Sequence, residues 1–421
     1  MSEDLFGTPI APQEQDQDNG DDDEGGFSFG GSSAAQSSAK TSTMFDGLAI
    51  WPPYANPELF GMDDIEQQFL NAWHSGKFPH GIALTGTKGI GKSTLAFRLA
   101  RFILHNSAQG TMGNGGAEQN ALFGTEDAPA ATLAIPTDSK TFTQSISGGH
   151  PDLLAIGDFF GQADDDKKKS GSAVEDIRKI PVFLRKTAAY GGWRVVIVDD
   201  ADMLNSSSQN ALLKILEEPP KKALIILVTH RLGAMLPTIK SRIRVVKCQN
   251  HDTQTVKAIL KKEDPSLSHD ALDLIAFMAS GSIGRALSIQ RDGGAQDMMD
   301  ILAHVASVKT MSITAIAQFC EALSGKDAST NDKVMKWREA ALWLFHTSIN
   351  AKARGIDPFA GLDLQDHFAV KMALQSFMDK GSVQDWLNGL EHLNDHFEEC
   401  DARHLDNYYQ IHGAIKILRS L

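Results

Sequence analysis

The chain has 421 residues, enough for two or three cores in series, and its 42% hydrophobic and 22% charged residues are ordinary for a globular protein. No apolar run of about 18 residues is present to span a bilayer, and the acidic N-terminus has neither the apolar core of a secretory signal nor the arginine-rich character of a transit peptide. A cytoplasmic protein without a membrane partner is expected. The net charge is −13, but residues 1–46 carry ten acids against the single Lys40, which leaves about −4 for the rest, so any nucleic-acid contact must come from local basic patches. Cys248, Cys320 and Cys400 stand far apart with no CxxC pair, which supports neither a disulfide framework nor a thiolate zinc site.

From Met1 to Asp46 the composition is Gly, Ser, Gln, Asp and Glu, with Asp21-Asp22-Asp23-Glu24 at its centre; too little apolar surface is available to offset ordering entropy, and a disordered acidic tail is expected. Ile65, Phe69, Ala72 and Trp73 then recur at helical spacing within 58–75, and His80 to Thr85 reads as a short buried strand. Residues 105–148 and 162–172 are polar and weakly patterned and read as insertions. Between and after them, 151–156 reads as a strand and 174–187 as a helix. Val195 to Val198 and Ala223 to Val228 are all-apolar runs, the pattern of parallel strands buried on both faces. The alternation predicts an α/β fold, a parallel sheet with helices on both faces and its ligand site at the carboxyl ends of the strands. Beyond Lys247 the pattern is helical, over 252–262, 268–290, 297–324, 331–354, 366–379 and 383–421.

Gly86-Thr87-Lys88-Gly89-Ile90-Gly91-Lys92-Ser93-Thr94 fits G-x-x-x-x-G-K-[ST] between an apolar strand and a helix marked by Leu95, Leu99 and Phe102. Glycines let backbone N–H groups turn toward phosphate oxygens, the helix N-terminus adds its dipole, and Lys92 brings a positive charge to the β- and γ-phosphates. ATP is the expected ligand. Ser93 is the expected hydroxyl ligand of Mg²⁺, and Asp199, closing the apolar run Val195-Val196-Ile197-Val198, is the metal-side carboxylate of a Walker B motif; oxygen donors of this kind suit Mg²⁺.

Asn210-Ala211-Leu212-Leu213-Lys214-Ile215-Leu216-Glu217-Glu218-Pro219-Pro220 resembles the signature of clamp-loader subunits of bacterial DNA polymerase III, a branch of the AAA+ class. Gly149 to Leu153, Gly191 to Arg194 and Leu236 to Arg242 agree with it. The likeness covers residues 51 to about 290, and farther on only helical character is shared. It implies an AAA+ RecA-like nucleotide-binding domain over 47–247, a small helical lid over 248–296 and an all-α collar over 297–421. It further implies a hetero-pentameric ring with motor and delta-type subunits that places a sliding clamp on primed DNA.

Within that family Arg242 matches an arginine that reaches the ATP of a neighbouring subunit, a trans finger worth about 10³–10⁵-fold in rate. Asp200 stands where many AAA+ ATPases carry the glutamate that polarises the attacking water, one methylene short. Such a displacement, near 1 Å, costs about 10²-fold. Thr229 and His230 both cover the sensor-1 position; at sensor 2, Gly284 takes the place of the motor-type arginine while Arg285 follows, about 100° around the helix. Arg178, Lys179, Arg185 and Lys186 form a basic helix face, suited to phosphate contacts or to solvent. The four-cysteine zinc module of many relatives is missing, so no zinc is expected. Two other readings stand beside a weakly hydrolysing clamp-loader subunit: an autonomous DNA-remodelling ATPase, and a ring subunit whose loop holds no nucleotide.

Overall fold

The apolar runs form the middle of a five-stranded parallel sheet, β1 Gly81–Thr85, β2 Leu153–Ile156, β3 Arg194–Val198, β4 Ala223–Thr229 and β5 Arg244–Lys247, in the order β2-β3-β4-β1-β5. The computed structural model describes residues 50–121, 130–157, 159, 172–360 and 368–421, with helix backbone alone at 108–121 and 172–175. The acidic tail over 1–46 and residues 162–171 of the second polar insertion lie outside the described residues. Every residue of β1, β3 and β4 is buried, which is why these strands carry no polar alternation.

Alternate side chains serve opposite faces. Ile82 and Leu84, Val195 and Ile197, and Leu224, Ile226 and Val228 pack with Phe69 of α1 (Asp63–His74) and with Leu95, Leu99 and Phe102 of α2 (Lys92–Ala121). Ala83, Val196, Val198, Ile225 and Leu227 turn the other way. They meet Ile177, Ile180 and Leu184, from the helix Ser172–Arg185, and Leu212, Ile215 and Leu216, from the helix Ser206–Glu217.

The stretch 105–148, expected as a weakly patterned insertion, carries structure among its described residues. Helix α2 continues to Ala121, and α3 (Lys140–Ile146) starts at Ser139, whose side chain accepts the Phe142 N–H. Leu133, Phe142 and Ile146 are buried. A few polar anchors hold this segment where a continuous apolar pattern is missing. The buried carboxylate of Glu66 accepts from the Leu133 N–H, from Thr132 Oγ1 at 2.8 Å and from Arg98 Nη2 at 3.1 Å, and the Arg101 guanidinium lies 4.7 Å over the Phe142 ring.

The helices of the Ser172–Arg185 and Ser206–Glu217 spans are α4 and α5; a short α6 (Pro237–Lys240) leads into β5. The remainder is helical: α7 (Thr253–Glu263), α8 (His269–Ala279), α9 (Ile283–Arg291), α10 (Gly294–Ser307), α11 (Ile313–Ala322), α12 (Ala328–Arg354), α13 (Phe368–Met378), α14 (Val383–Arg403) and α15 (Asn407–Ser420). Three spans expected to be continuous are each broken in two. Ser280, in the left-handed region at φ 50°, ends α8 and Ser282 caps α9; Ser312 caps α11; His404 at φ 52° ends α14 and Asp406 caps α15. One apolar cluster runs from Val256 and Leu260 in α7 through Trp337 and Phe345 in α12 to Ile415 and Leu418 in α15.

Glu66→Ala leaves Arg98 as a charge without its carboxylate in a site where both side chains are about nine-tenths buried. The expected loss is about 3 kcal/mol of stability in urea unfolding, with a smaller loss for Glu66→Gln.

Candidate nucleotide-binding site

The loop leaves β1 at its carboxyl end and turns directly into α2. Gly86 has φ 150°, and a Cβ there would lie 2.5 Å from the Cys248 carbonyl oxygen, so the turn requires glycine. Lys92 is buried, and its ammonium donates to the Gly86 carbonyl at 2.8 Å and the Thr87 carbonyl at 2.6 Å. Burial pushes its pKa down to about 8 against the opposing pull of Cys248, Asp199, Asp200 and Asp202.

Strand β3 delivers Asp199 beside the loop. Ser93 Oγ lies 3.3 Å from each Asp199 carboxylate oxygen, so the hydroxyl and carboxylate expected to hold Mg²⁺ face one another. Burial raises the pKa of Asp199, and the neighbouring charge of Asp200 adds to it; a divalent cation would favour the ionised form. Two oxygen donors fit Mg²⁺, which keeps several waters and takes phosphate oxygens as further ligands.

Asp200 turns away from this pair. Its backbone is left-handed at φ 44°, and its carboxylate receives His230 Nε2 at 2.8 Å, while its own N–H donates to Asp199 Oδ1 at 3.1 Å. His230 follows β4, whose pairing with β3 sets the two strand ends side by side. Thr229 is buried, with its hydroxyl donating to Asp202 Oδ1 at 3.1 Å, and the His230 N–H reaches the same oxygen at 2.9 Å. The spacing Asp199, Asp200, Asp202 was a visible signal for these carboxylates. The partner of Asp200 was not visible, because the adjacency of β3 and β4 is a matter of strand order.

Arg242 is not brought to this loop. It precedes β5, whose pairing sets Arg244 opposite Ile82, so it sits level with His80 at the amino end of β1 while Gly86 leaves the other end, about 20 Å away at about 3.3 Å per residue. Its Nη2 is 2.9 Å from Glu217 Oε1, and its Nη1 donates to the Thr238 carbonyl at 2.9 Å and to Ser241 Oγ at 3.2 Å. Arg178, Lys179, Arg185 and Lys186 are all exposed, with Lys179 paired to Asp176 at 2.6 Å.

The charged neighbours of Arg285 lie on α12. Arg285 titrates under the influence of Glu339; burial lowers its pKa against that carboxylate, and its Nε and Nη2 are buried with no hydrogen-bond partner among the described residues. The stretch before it touches the loop instead: Gly284 N–H donates to the Gly89 carbonyl at 2.7 Å and Ser282 Oγ to the Lys88 carbonyl at 2.8 Å. Cys248, Cys320 and Cys400 are each buried and free.

A phosphate-type loop, an acidic strand end and the β2-β3-β4-β1-β5 order define a parallel α/β module of the P-loop kind. Residues 61–252 match the family model described as DNA polymerase III, delta subunit. DNA polymerase III subunit gamma of Buchnera aphidicola subsp. Schizaphis graminum is 28% identical over 244 residues, 57% of this chain and 58% of that protein. Subunit delta' of Escherichia coli K12 is 26% identical over 239 residues, 57% of this chain and 60% of that one. The chain is related to these clamp-loader subunits, delta-prime among them, and spans about three fifths of their length. A solved gamma subunit-related protein of Thermotoga maritima covers 84% of this chain and 99% of its own at 17% identity, with a TM-score of 0.36, too loose a likeness to bear on function.

On the expectation that the loop holds ATP, affinity should depend on pH through Lys92. Its folded pKa lies below the ordinary value, so the charge that attracts phosphate is present below about 8 and is lost as pH rises through it. Calorimetry with ATP and Mg²⁺ should show affinity falling from pH 7 to pH 9, with net proton uptake near pH 8.

Proposed function

We propose that this chain is a clamp-loader subunit of the delta-prime kind, which binds ATP through Gly86 to Thr94 and supplies Arg242 to the nucleotide site of a neighbouring motor subunit. The division into a nucleotide-binding domain over 47–247, a lid over 248–296 and a collar over 297–421 belongs to the same reading. So do a hetero-pentameric ring with motor and delta-type partners, indirect contact with a sliding clamp, primed DNA as the substrate, and the cytoplasm as its setting. Among the described residues no helix is long and apolar enough to cross a membrane.

The observation that carries the proposal is the placement of Arg242 at the sheet end opposite its own P-loop, half exposed and held by a glutamate of the signature helix. From there a guanidinium can serve a site outside its own chain. In that role it would stabilise the charge that develops on a transferring phosphoryl group.

Within its own site, Ser93 and Asp199 would hold Mg²⁺, whose chemistry is to neutralise phosphate oxygens and orient them. Lys92 would supply charge to the phosphates. Asp200 would have to leave His230 to orient a water, and Arg285 serves the helical region, so hydrolysis by this chain alone should be slow. Those two placements count against an autonomous DNA-remodelling motor. A subunit whose loop holds no nucleotide is favoured only by the satisfaction of the Lys92 ammonium by loop carbonyls.

Arg242→Ala should leave nucleotide binding to this chain unchanged in calorimetry while the ATPase rate of the reconstituted assembly falls by about 10³-fold. An unchanged assembly rate would remove Arg242 from the mechanism. Lys92→Ala should abolish the heat of ATP binding, and no heat from the unaltered chain would favour the nucleotide-free reading.

A further inference from the structure

Three consecutive carbonyls on the outer side of the P-loop are tied to residues C-terminal to the sheet. The Lys88 carbonyl accepts Ser282 Oγ at 2.8 Å, the Gly89 carbonyl accepts the Gly284 N–H at 2.7 Å, and the Ile90 carbonyl lies 2.8 Å from His251 Nε2, which must be protonated to donate. His251 is itself buried and fixed, since its N–H donates to the Gly281 carbonyl at 3.0 Å. Thr87 Oγ1 adds a fourth contact to Asn250 Oδ1, and Asn250 Nδ2 donates to the Ser280 carbonyl at 2.8 Å.

A trans peptide sends its N–H in the direction opposite to its carbonyl. With the carbonyls of residues 88, 89 and 90 drawn outward, the N–H groups of Gly89, Ile90 and Gly91 are directed to the inner side of the loop. That is the side on which a phosphate-binding loop presents its donors. The fit is close. A Cβ on Gly284 would lie 2.9 Å from Gly89 Cα, and one on Gly89 would lie 2.5 Å from Ser282 Oγ, so neither position accepts a side chain without a shift. An arginine at 284 could not occupy this arrangement.

We infer that His251, Ser282 and Gly284 are positioning residues for the phosphate cradle, acting by gripping the outward carbonyls of Lys88, Gly89 and Ile90. The inference rests on the reading that the loop binds nucleotide. It gives Gly284 a role through its backbone donor at the place where the motor-type subunits of the resembled family carry an arginine. Because the grip orders the loop in advance, its loss raises the entropy that binding must overcome.

The test uses the full chain, Mg²⁺ and a non-hydrolysable ATP analogue, with calorimetry and hydrogen exchange of the peptide covering residues 86–94. His251→Ala and Ser282→Ala should each weaken binding by about fivefold, the scale of one net hydrogen bond, and speed exchange in the loop. His251→Gln, which returns a donor at about the Nε2 position, and Ser282→Thr should restore both. These rescues separate positioning from damage to the fold, which thermal melting of the same variants monitors. Unchanged affinity in both alanine variants beside a binding parent overturns the inference. If the parent binds no analogue, the functional reading fails by itself. Exchange then decides the grip: faster exchange in the alanine variants supports it, and unchanged exchange refutes it.

Discussion

The pairing of β1 with β4 on one side and β5 on the other leaves its chain one way out of the sheet, forward from Thr85 into the loop. Every residue of β1 is buried, so the strand cannot slip its register without moving Ile82 and Leu84 off one face and Ala83 off the other. The position of Gly86 is therefore fixed by apolar packing several residues away from it. The same parallel register sets Arg242 at the other end of the sheet. One strand thus determines both where the loop leaves the sheet and where Arg242 stands.

Around the loop, the charged groups sort by their access to water. Asp199 is partly buried beside Ser93 and Lys92 is buried among loop carbonyls, so desolvation shifts both toward their neutral forms. Asp200 is half exposed, left-handed, and bound to His230. The two adjacent carboxylates have distinct surroundings. Asp199 faces the Ser93 hydroxyl at the loop, whereas Asp200 is engaged by a ring from the next strand.

Much of this was legible in the sequence because the signals were local. All-apolar runs marked β1, β3 and β4, and the loop's glycine spacing marked its own turn. Arg285, one residue past the sensor-2 position, has its charged neighbours Glu339 and His346 on α12. What escaped depended on tertiary neighbours. Residues 130–146 hold their place through Glu66 and Arg101, whose partners lie 30 to 70 positions away, and no periodicity encodes that. The breaks at Ser280, Ser312 and His404 sit inside apolar patterns that continue across them, so amphipathic spacing alone joins helices that caps divide.

The apolar cluster from Val256 to Leu418 has a mechanical meaning. Helices α7 to α9, which follow the loop's partner His251 and include Gly284, are packed into the same interior as α12, α14 and α15. Shear between them would open cavities around Trp337 and Phe345, and close-packed interiors resist that strongly. The helical half is therefore a stiff arm with its gripping end on three peptide groups of the P-loop. The helices that carry the loop's partners and the last helix of the chain therefore share one set of packed neighbours.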